Sequence, residues 1–172
     1  MTADTIARLK ITLDDVKPIV LRRVEVPATL RLDRLHLAIQ AAMGWTNTHL
    51  YEILARDSGW GIPDPDGGDG PLDARKARLI NVLEDIAQRR SSISTISPTV
   101  GNTRERIAAR EPGAVYPRLI EATGRCPPED IGEPWGYAEL LAAIGDPKHE
   151  RHSEFKEQIS DDFDPHRYRI AR

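Results

Sequence analysis

The chain has 172 residues, of which 40% are hydrophobic and 30% are charged, and its formal net charge at pH 7 is −3. These values are typical of a soluble globular domain, and they exclude the strongly basic field that usually marks a nucleic-acid-binding protein. The single cysteine excludes an internal disulfide, and no apolar run reaches the length of a membrane-spanning helix. With no signal peptide at its start, we expect a cytoplasmic protein with one domain over residues 1–172 and a core at about 5–165.

The N-terminal part of the chain has the pattern of two strands. Polar and apolar residues alternate over Thr5–Leu13, as in a strand with one buried face. Residues 18–26 are predicted to form the second strand, and the short connection predicts an antiparallel hairpin. The alternation changes phase at Arg22-Arg23, which predicts a β-bulge at that point.

Leu32–Met43 is predicted to be an amphipathic helix that packs on the hairpin, because its apolar residues recur at three- and four-residue spacing. Gly44 follows it, at the position where a left-handed glycine commonly ends a helix. His36 lies beside the apolar stripe, and we interpret it as a helix-surface histidine rather than as a ligand.

Residues 45–55 are predicted to form a third strand. Their alternation places His49 and Tyr51 on one face, and Trp45 would join them in an aromatic cluster at the start of the strand. We favour a buried, hydrogen-bonded histidine at position 49, and contact with a ligand or a nucleic acid is the alternative. These elements predict an α+β fold in which a small antiparallel or mixed sheet packs against helices.

The middle of the chain has weaker patterns. Residues 59–72 are rich in glycine, proline and aspartate and are predicted to be a loop; their spaced acids lack the terminal glutamate of a calcium loop, so we predict no metal there. Residues 73–85 have helical spacing. Residues 88–110 are also predicted to be loop-like, because their centre is rich in serine and threonine and contains Pro98 and Gly101.

A pair of helices is predicted near the C-terminus, at residues 135–144 and 148–159, with a Gly-Asp-Pro run between them. Two histidines lie one turn apart in the second helix. This spacing can chelate a metal but is also common on solvated helices, so we predict no metal. Residues 166–172 are expected to be a frayed tail.

The most irregular stretch is the clasp segment, which we define as residues 124–137. It contains the single cysteine, a tryptophan and several prolines and acids. Its prolines and glycines force the backbone to turn repeatedly, so it is either a binding site or a clasp between two layers. Cys126 would act as a nucleophile only beside a base such as His49, and the alternative is a small buried residue.

Several runs occur in a particular order and spacing: Ala-Ala-Met-Gly-Trp at 41–45, His-Leu-Tyr-Glu at 49–52, Pro-Gly-Ala-Val-Tyr-Pro at 112–117, Cys-Pro-Pro-Glu-Asp-Ile-Gly at 126–132, Pro-Trp-Gly-Tyr at 134–137 and Asp-Phe-Asp-Pro at 162–165. In these runs the chain resembles the plasmid pRiA4b ORF-3-like family over about residues 5–165. The resemblance implies a single α+β domain of bacteria and archaea that is often associated with mobile elements. Some relatives carry a resolvase label, and no reaction is established for the family.

The chain departs from the family at one place. Relatives have a strand that reads Tyr-x-Tyr-Asp-Phe-Gly-Asp-x-Trp-Glu-His before the Pro-Gly-Ala run, where this chain has the serine-rich residues 92–104. Suppose that the third base of each codon is chosen freely among the synonymous codons. If the reading frame is then moved by two nucleotides, this stretch can encode Leu-Tyr-Asp-Phe-Ala-Asp-Gly-Trp-Glu-His. We therefore hypothesise a local frameshift that enters near residues 88–91 and ends near 104–106. Loss of these aromatic residues predicts a protein less stable than its relatives.

Two classes of function fit these observations. We favour a non-enzymatic interaction module of plasmids or mobile elements that binds protein or nucleic acid, without a cofactor, a metal or a membrane. Its candidate surface consists of Trp45, His49, Tyr51, Cys126, Glu129, Asp130, Trp135 and Tyr137. The alternatives are a nucleic-acid-processing enzyme, either resolvase-like or a metal-dependent nuclease, and a degenerate, inactive copy. A nuclease would need at least two carboxylates that converge on Mg²⁺, for which the candidates are Glu52, Glu129 and Asp130.

Overall fold

The computed structural model of the protein describes residues 5–55, 58–68, 70–83, 93–96 and 100–168. This part of the chain contains the strands β1 (Thr5–Leu13), β2 (Leu21–Pro27), β3 (Glu52–Ala55), β4 (Ser58–Gly61), β5 (Leu72–Asp73), β6 (Ile93–Ile96), β7 (Val100–Ala109) and β8 (Arg118–Thr123). Its helices are α1 (Leu32–Met43), α2 (Glu133–Gly145) and α3 (His152–Gln158), and residues 79–83 are helical as well.

These strands form one eight-stranded sheet in the order β5-β4-β3-β6-β7-β1-β2-β8. Neighbouring strands are antiparallel except β4 and β5, which are parallel, so the sheet is mixed. The predicted hairpin of β1 and β2 is confirmed, with Ile6 opposite Pro27. The predicted bulge is observed too, because the register of β2 against β8 shifts between Arg23 and Val24.

The core lies between β1, β2 and the helices. Along β1 every second side chain is buried, namely Ala7, Leu9, Ile11 and Leu13. They share one apolar cluster with the buried side of α1 and with Tyr137, Leu140 and Phe155 of the two C-terminal helices. Each large buried side chain contributes about 1.5–3 kcal/mol to folding. The α+β class, the helix after the hairpin and the C-terminal helical pair are therefore confirmed, and so is Gly44, which ends α1 with φ 84°.

The prediction of a loop over residues 88–110 is wrong for two stretches, because β6 and β7 lie in the middle of the sheet. β7 pairs with β1 from Thr5 opposite Ala109 to Leu13 opposite Val100. The second backbone edge of β1 needs hydrogen-bond partners, and a neighbouring strand supplies them even when its sequence is polar. The isoleucine, valine and threonine residues of β6 and β7 also favour extended backbone.

Other predicted boundaries shift for local reasons. β3 begins at Glu52 rather than at residue 45, because the preceding residues are engaged in side-chain hydrogen bonds that compete with strand pairing. The helix predicted at 73–85 begins at residue 79, since the Asp73 carboxylate accepts the Arg75 backbone N–H and forms a turn instead. The loop predicted at residues 59–72 contains most of β4 and the first residue of β5.

The predicted tail at residues 166–172 is described as far as Tyr168. The ring centroid of Tyr168 lies 4.4 Å from the guanidinium carbon of buried Arg22, so this part of the tail packs on the fold. The rest of the tail, and residues 88–92 and 97–99 of the predicted loop, lie outside the described residues. Within the described ranges, no helix has the length and apolarity needed to cross a membrane.

Candidate functional site

The clasp segment is attached to the residues that follow α1. The indole N–H of Trp45 donates a hydrogen bond to the carbonyl oxygen of Pro127 at 3.0 Å. The Glu129 carboxylate accepts hydrogen bonds from the backbone N–H of Thr46 at 2.8 Å and from the hydroxyl groups of Thr46 and Thr48. These contacts join two parts of the chain that are distant in sequence, so the segment acts as a clasp.

Two acidic residues form the polar part of this contact. Burial raises the pKa of Glu129, but the hydrogen bonds from Thr46 and Thr48 lower it more, and the pKa lies below its ordinary value. The carboxylate is therefore ionised at neutral pH, and the stability that it contributes is lost only as the pH falls through that lowered pKa. His49 Nε2 lies 2.8 Å from Asp130 Oδ1, and both side chains are exposed.

Cys126 is the residue of the clasp segment whose side chain lies in the apolar core together with Met43. Its thiol accepts a hydrogen bond from Arg22 Nη2 at 3.1 Å and lies 3.3 Å from the sulfur of Met43. Burial raises the pKa of the Cys126 thiol to about 11, although the Arg22 charge opposes this shift. At neutral pH the side chain is therefore a protonated thiol, which is a poor nucleophile.

Two aromatic residues near the start of α2 have opposite environments. Tyr137 is fully buried, its hydroxyl donates a hydrogen bond to the carbonyl oxygen of Arg125 at 3.3 Å, and burial raises its pKa to about 12. Trp135, in contrast, is 84% exposed. Cys126 and Tyr137 are thus excluded from the candidate surface, because both are buried. We call the solvent-accessible members of this candidate surface, apart from Tyr51, the Trp135 surface: Trp45, His49, Glu129, Asp130 and Trp135.

Gly136, in the first turn of α2, permits the close approach of the preceding backbone at Ile131. A Cβ atom at this position would lie 1.7 Å from the carbonyl oxygen of Ile131. We expect Gly136→Ala to lower the free energy of unfolding by about 2 kcal/mol, because the backbone must move apart. Chemical denaturation measures this change, and a thiol reagent should label Cys126 faster in the variant.

Gly145→Ala is the matched control for this prediction. Gly145 lies in the same helix, but a Cβ atom there would meet nothing within 4 Å. The control should leave the stability unchanged or raise it by about 0.5–1 kcal/mol. If the two variants are equally stable, the tight contact between Gly136 and the Ile131 backbone is not required for folding.

Tyr51, the remaining predicted site residue, lines a cavity that none of the other predicted site residues lines. The cavity has a volume of about 530 Å³ and lies between α1, Asn47, Tyr51 and the segments 61–65 and 73–75. The Tyr51 ring stacks on the His36 ring, with centroids 3.6 Å apart and an interplanar angle of 5°. His36 is only 2% exposed, so the prediction of a helix-surface histidine is wrong, and Tyr51 is the residue that covers it.

His36 is neutral in this environment. Burial lowers its pKa, and the hydrogen bond between His36 Nε2 and Asn47 Oδ1, at 2.5 Å, opposes the shift only in part. With Nε2 donating to the amide oxygen, the buried Nδ1 is an acceptor, and it has no hydrogen-bond partner among the described residues. Buried polar atoms without a partner are uncommon, and each is a candidate for contact with water or a ligand.

Two ionised carboxylates line the same cavity. Asp33 accepts hydrogen bonds from Arg31 at 2.9 and 2.7 Å, and Asp73 accepts them from Arg75 at 2.8 and 2.9 Å. The bonds from Arg31 lower the pKa of Asp33, and those from Arg75 lower the pKa of Asp73 to about 2. Burial raises the pKa of Tyr51, and the Asp33 and Asp73 charges raise it further, whereas the Arg75 charge opposes this shift.

Sequence reasoning missed this cavity, although one signal was available. Asp33 and His36 are three residues apart in α1 and so lie on one side of the helix. Asp73 and Arg75 belong to a distant turn, and their approach depends on the path of the chain between them. No group of three His, Cys, Asp or Glu side chains that could hold a metal ion occurs in the part of the chain that the structure describes.

The chain is similar to known proteins in both sequence and fold. A family model described as plasmid pRiA4b ORF-3-like protein matches residues 5–92 and 102–172. An uncharacterized protein, y4hQ, of Sinorhizobium fredii is 49% identical over 163 residues, which cover 93% of this chain and 84% of that protein. The crystal structure of a protein of unknown function from Methanosarcina mazei, MM3350, is similar with a TM-score of 0.82 and 28% identity, over 98% of this chain and 97% of that one.

Proposed function

The chain belongs to the family of plasmid pRiA4b ORF-3-like proteins, and we propose that it is a non-enzymatic accessory protein of plasmids or other mobile elements that binds another protein through the Trp135 surface. One observation carries the proposal, namely the 84% exposure of Trp135 in the first turn of α2. Tryptophan is enriched among the residues that contribute most to protein interfaces. The clasp segment, to which Trp135 belongs, is already fixed by the hydrogen bonds of Trp45 and Glu129, so binding would require little additional ordering.

The charges on this surface favour a protein partner over a nucleic acid. Glu129 is ionised and Asp130 is exposed, whereas His49 is already paired with Asp130. Such a surface repels phosphate groups, which supply most of the affinity in nucleic-acid complexes. It attracts arginine and lysine, and a guanidinium group can also stack on the indole of Trp135. We therefore propose a partner that presents basic side chains.

The two alternative functions have less support. For an enzyme that processes nucleic acid, the described residues contain no group of three His, Cys, Asp or Glu side chains that could hold a metal ion, and of the candidate carboxylates Glu129 bonds to threonines and Asp130 pairs with His49. One observation favours a degenerate copy: the family match omits residues 93–101, which include β6 and the start of β7.

Site-specific photocrosslinking in bacterial cells tests the proposal. A photoreactive phenylalanine analogue at position 135 should give one discrete protein adduct, because this position lies at the interface. The same analogue at position 115 should give none, although Val115 is 81% exposed and is therefore equally accessible. An adduct with DNA or RNA, or the same adduct from both positions, would contradict the proposal.

The purified partner from that adduct allows a quantitative test. We expect Trp135→Ala to weaken binding at least tenfold, which corresponds to about 1.4 kcal/mol. The free energy of unfolding should change by less than about 0.5 kcal/mol, because the side chain is exposed. Val115→Ala is the control and should bind normally. Unchanged affinity of Trp135→Ala would exclude the Trp135 surface as the interface.

A further inference from the structure

The cavity beside His36 has the properties of a small-molecule site. Its volume of about 530 Å³ falls in the range of about 300–1,000 Å³ that is usual for ligand pockets. None of its lining residues belongs to the Trp135 surface, so it is independent of the proposed protein interface. We propose that this cavity binds a small organic cation with a flat, apolar body.

The apolar part of the lining is suited to the body of such a ligand. The ring of Tyr51 lies on one side of the cavity, and Leu37, Ile62, Pro63 and Pro65 contribute further apolar surface. Leu37 remains 40% exposed and Ile62 57% exposed, so the fold itself leaves this surface in contact with water. A flat apolar molecule would cover these side chains, and each square ångström removed from water favours binding.

The charges around the cavity favour a cation. The side chains of Asp33 and Asp73 are only 19% and 11% exposed, whereas that of Arg75 is 66% exposed. Water and salt screen exposed charges far more than buried ones, so the carboxylates dominate the potential inside the cavity. Three further cations are also exposed: Arg31, which is hydrogen-bonded to Asp33, Arg34 at 3.8 Å from Asp33, and Lys76 at 4.0 Å from Asp73.

Hydrogen-bonding capacity supports the same choice. A carboxylate has about four lone-pair sites. Asp33 accepts two hydrogen bonds from the Arg31 guanidinium, and Asp73 accepts two from the Arg75 guanidinium and one from the Arg75 backbone N–H, which leaves capacity for further donors. His36 is neutral, so it adds no positive charge to the lining of the cavity. An ammonium group has three N–H donors and no acceptor, and is therefore complementary to this wall.

Three indoles that differ only in charge test the proposal on the full-length protein. Tryptamine is the cation, 3-methylindole is the neutral control and indole-3-acetate is the anion, and each is titrated by calorimetry and by ligand-observed NMR. From its size, tryptamine should bind with Kd of about 1 mM or lower. We expect it to bind at least fivefold more tightly than 3-methylindole, with indole-3-acetate the weakest.

Variants connect the charge preference to the cavity. Asp73→Asn should weaken tryptamine binding at least fivefold and change the Kd of 3-methylindole by less than about twofold. The control is Asp14→Asn, in the exposed turn between β1 and β2, which should change neither affinity. Ile62→Arg is a second test at an exposed position and should abolish tryptamine binding without loss of fold. Trp135→Ala should have no effect, which separates this proposal from the proposed protein interface.

Three results would overturn the proposal. The first is that all three indoles bind equally, and the second is that Asp73→Asn and Ile62→Arg bind tryptamine like the unaltered protein. The third is that none of the indoles binds at concentrations up to about 20 mM, well above the Kd expected for a molecule of this size.

Discussion

Replacing Arg22 with alanine is expected to lower the free energy of unfolding by about 4 kcal/mol. Arg22 is 1% exposed, and its guanidinium donates hydrogen bonds to the carbonyl oxygens of Leu21, Ala42 and Thr123 at 2.7–2.8 Å. It also donates to the Cys126 thiol at 3.1 Å. The side chain thus joins β2, the end of α1, the end of β8 and the clasp segment. Its removal leaves buried carbonyl groups without a partner and creates a cavity.

Arg23→Ala is the matched control for this experiment. Arg23 is the next residue in β2, but it forms an exposed ion pair with Glu121, with side-chain exposures of 36% and 43%. Such pairs contribute only about 0–1 kcal/mol, so the control should unfold at nearly the same denaturant concentration as the unaltered protein. Equal losses of stability in the two variants would show that the buried network of Arg22 is not needed to hold these elements together.

Arg22 also shows which features of this fold could be predicted from the sequence. The strands β1 and β2 and the helix α1 have strong local periodicity, and the change of phase at Arg22 correctly indicated a bulge. The sequence pattern could not reveal that the side chain is buried, since its partners come from three distant elements. The same holds for His36, whose position beside the apolar stripe indicated a surface residue until Tyr51 was found to cover it.

Only one part of the candidate site, the clasp segment, could be predicted from the sequence. The clasp segment was identified from its prolines, its cysteine and its tryptophan, and its attachment to the residues after α1 agrees with the interpretation as a clasp. The cavity was not predictable, because it forms where α1 meets two loop segments whose conformation has no periodic signal. β7 was missed for another reason: its pairing is imposed by the free edge of β1 and not by its own pattern.

Residues 93–102, of which 93–101 lie outside the family match, should be the weakest part of the sheet. Replacing them with Leu-Tyr-Asp-Phe-Ala-Asp-Gly-Trp-Glu-His is expected to raise the free energy of unfolding by about 4 kcal/mol, from burial of large aromatic side chains. β6 and β7 are antiparallel with Ser94 opposite Asn102, so the same register places position 96 opposite 100. The new Phe and Trp would then form a cross-strand aromatic pair. The Asp-Gly dipeptide falls between the two strands, where it favours a hairpin turn.

Thermal unfolding measures the effect, and the midpoint should rise by about 10 °C for a protein of this size. A variant with the same new residues in scrambled order is the control and should melt no higher than the original chain. The family match omits residues 93–101, which lie within the stretch to which the frameshift hypothesis applies. The frameshift hypothesis fails if the replacement does not raise the midpoint, or if the codons of this stretch cannot encode the motif in the shifted frame.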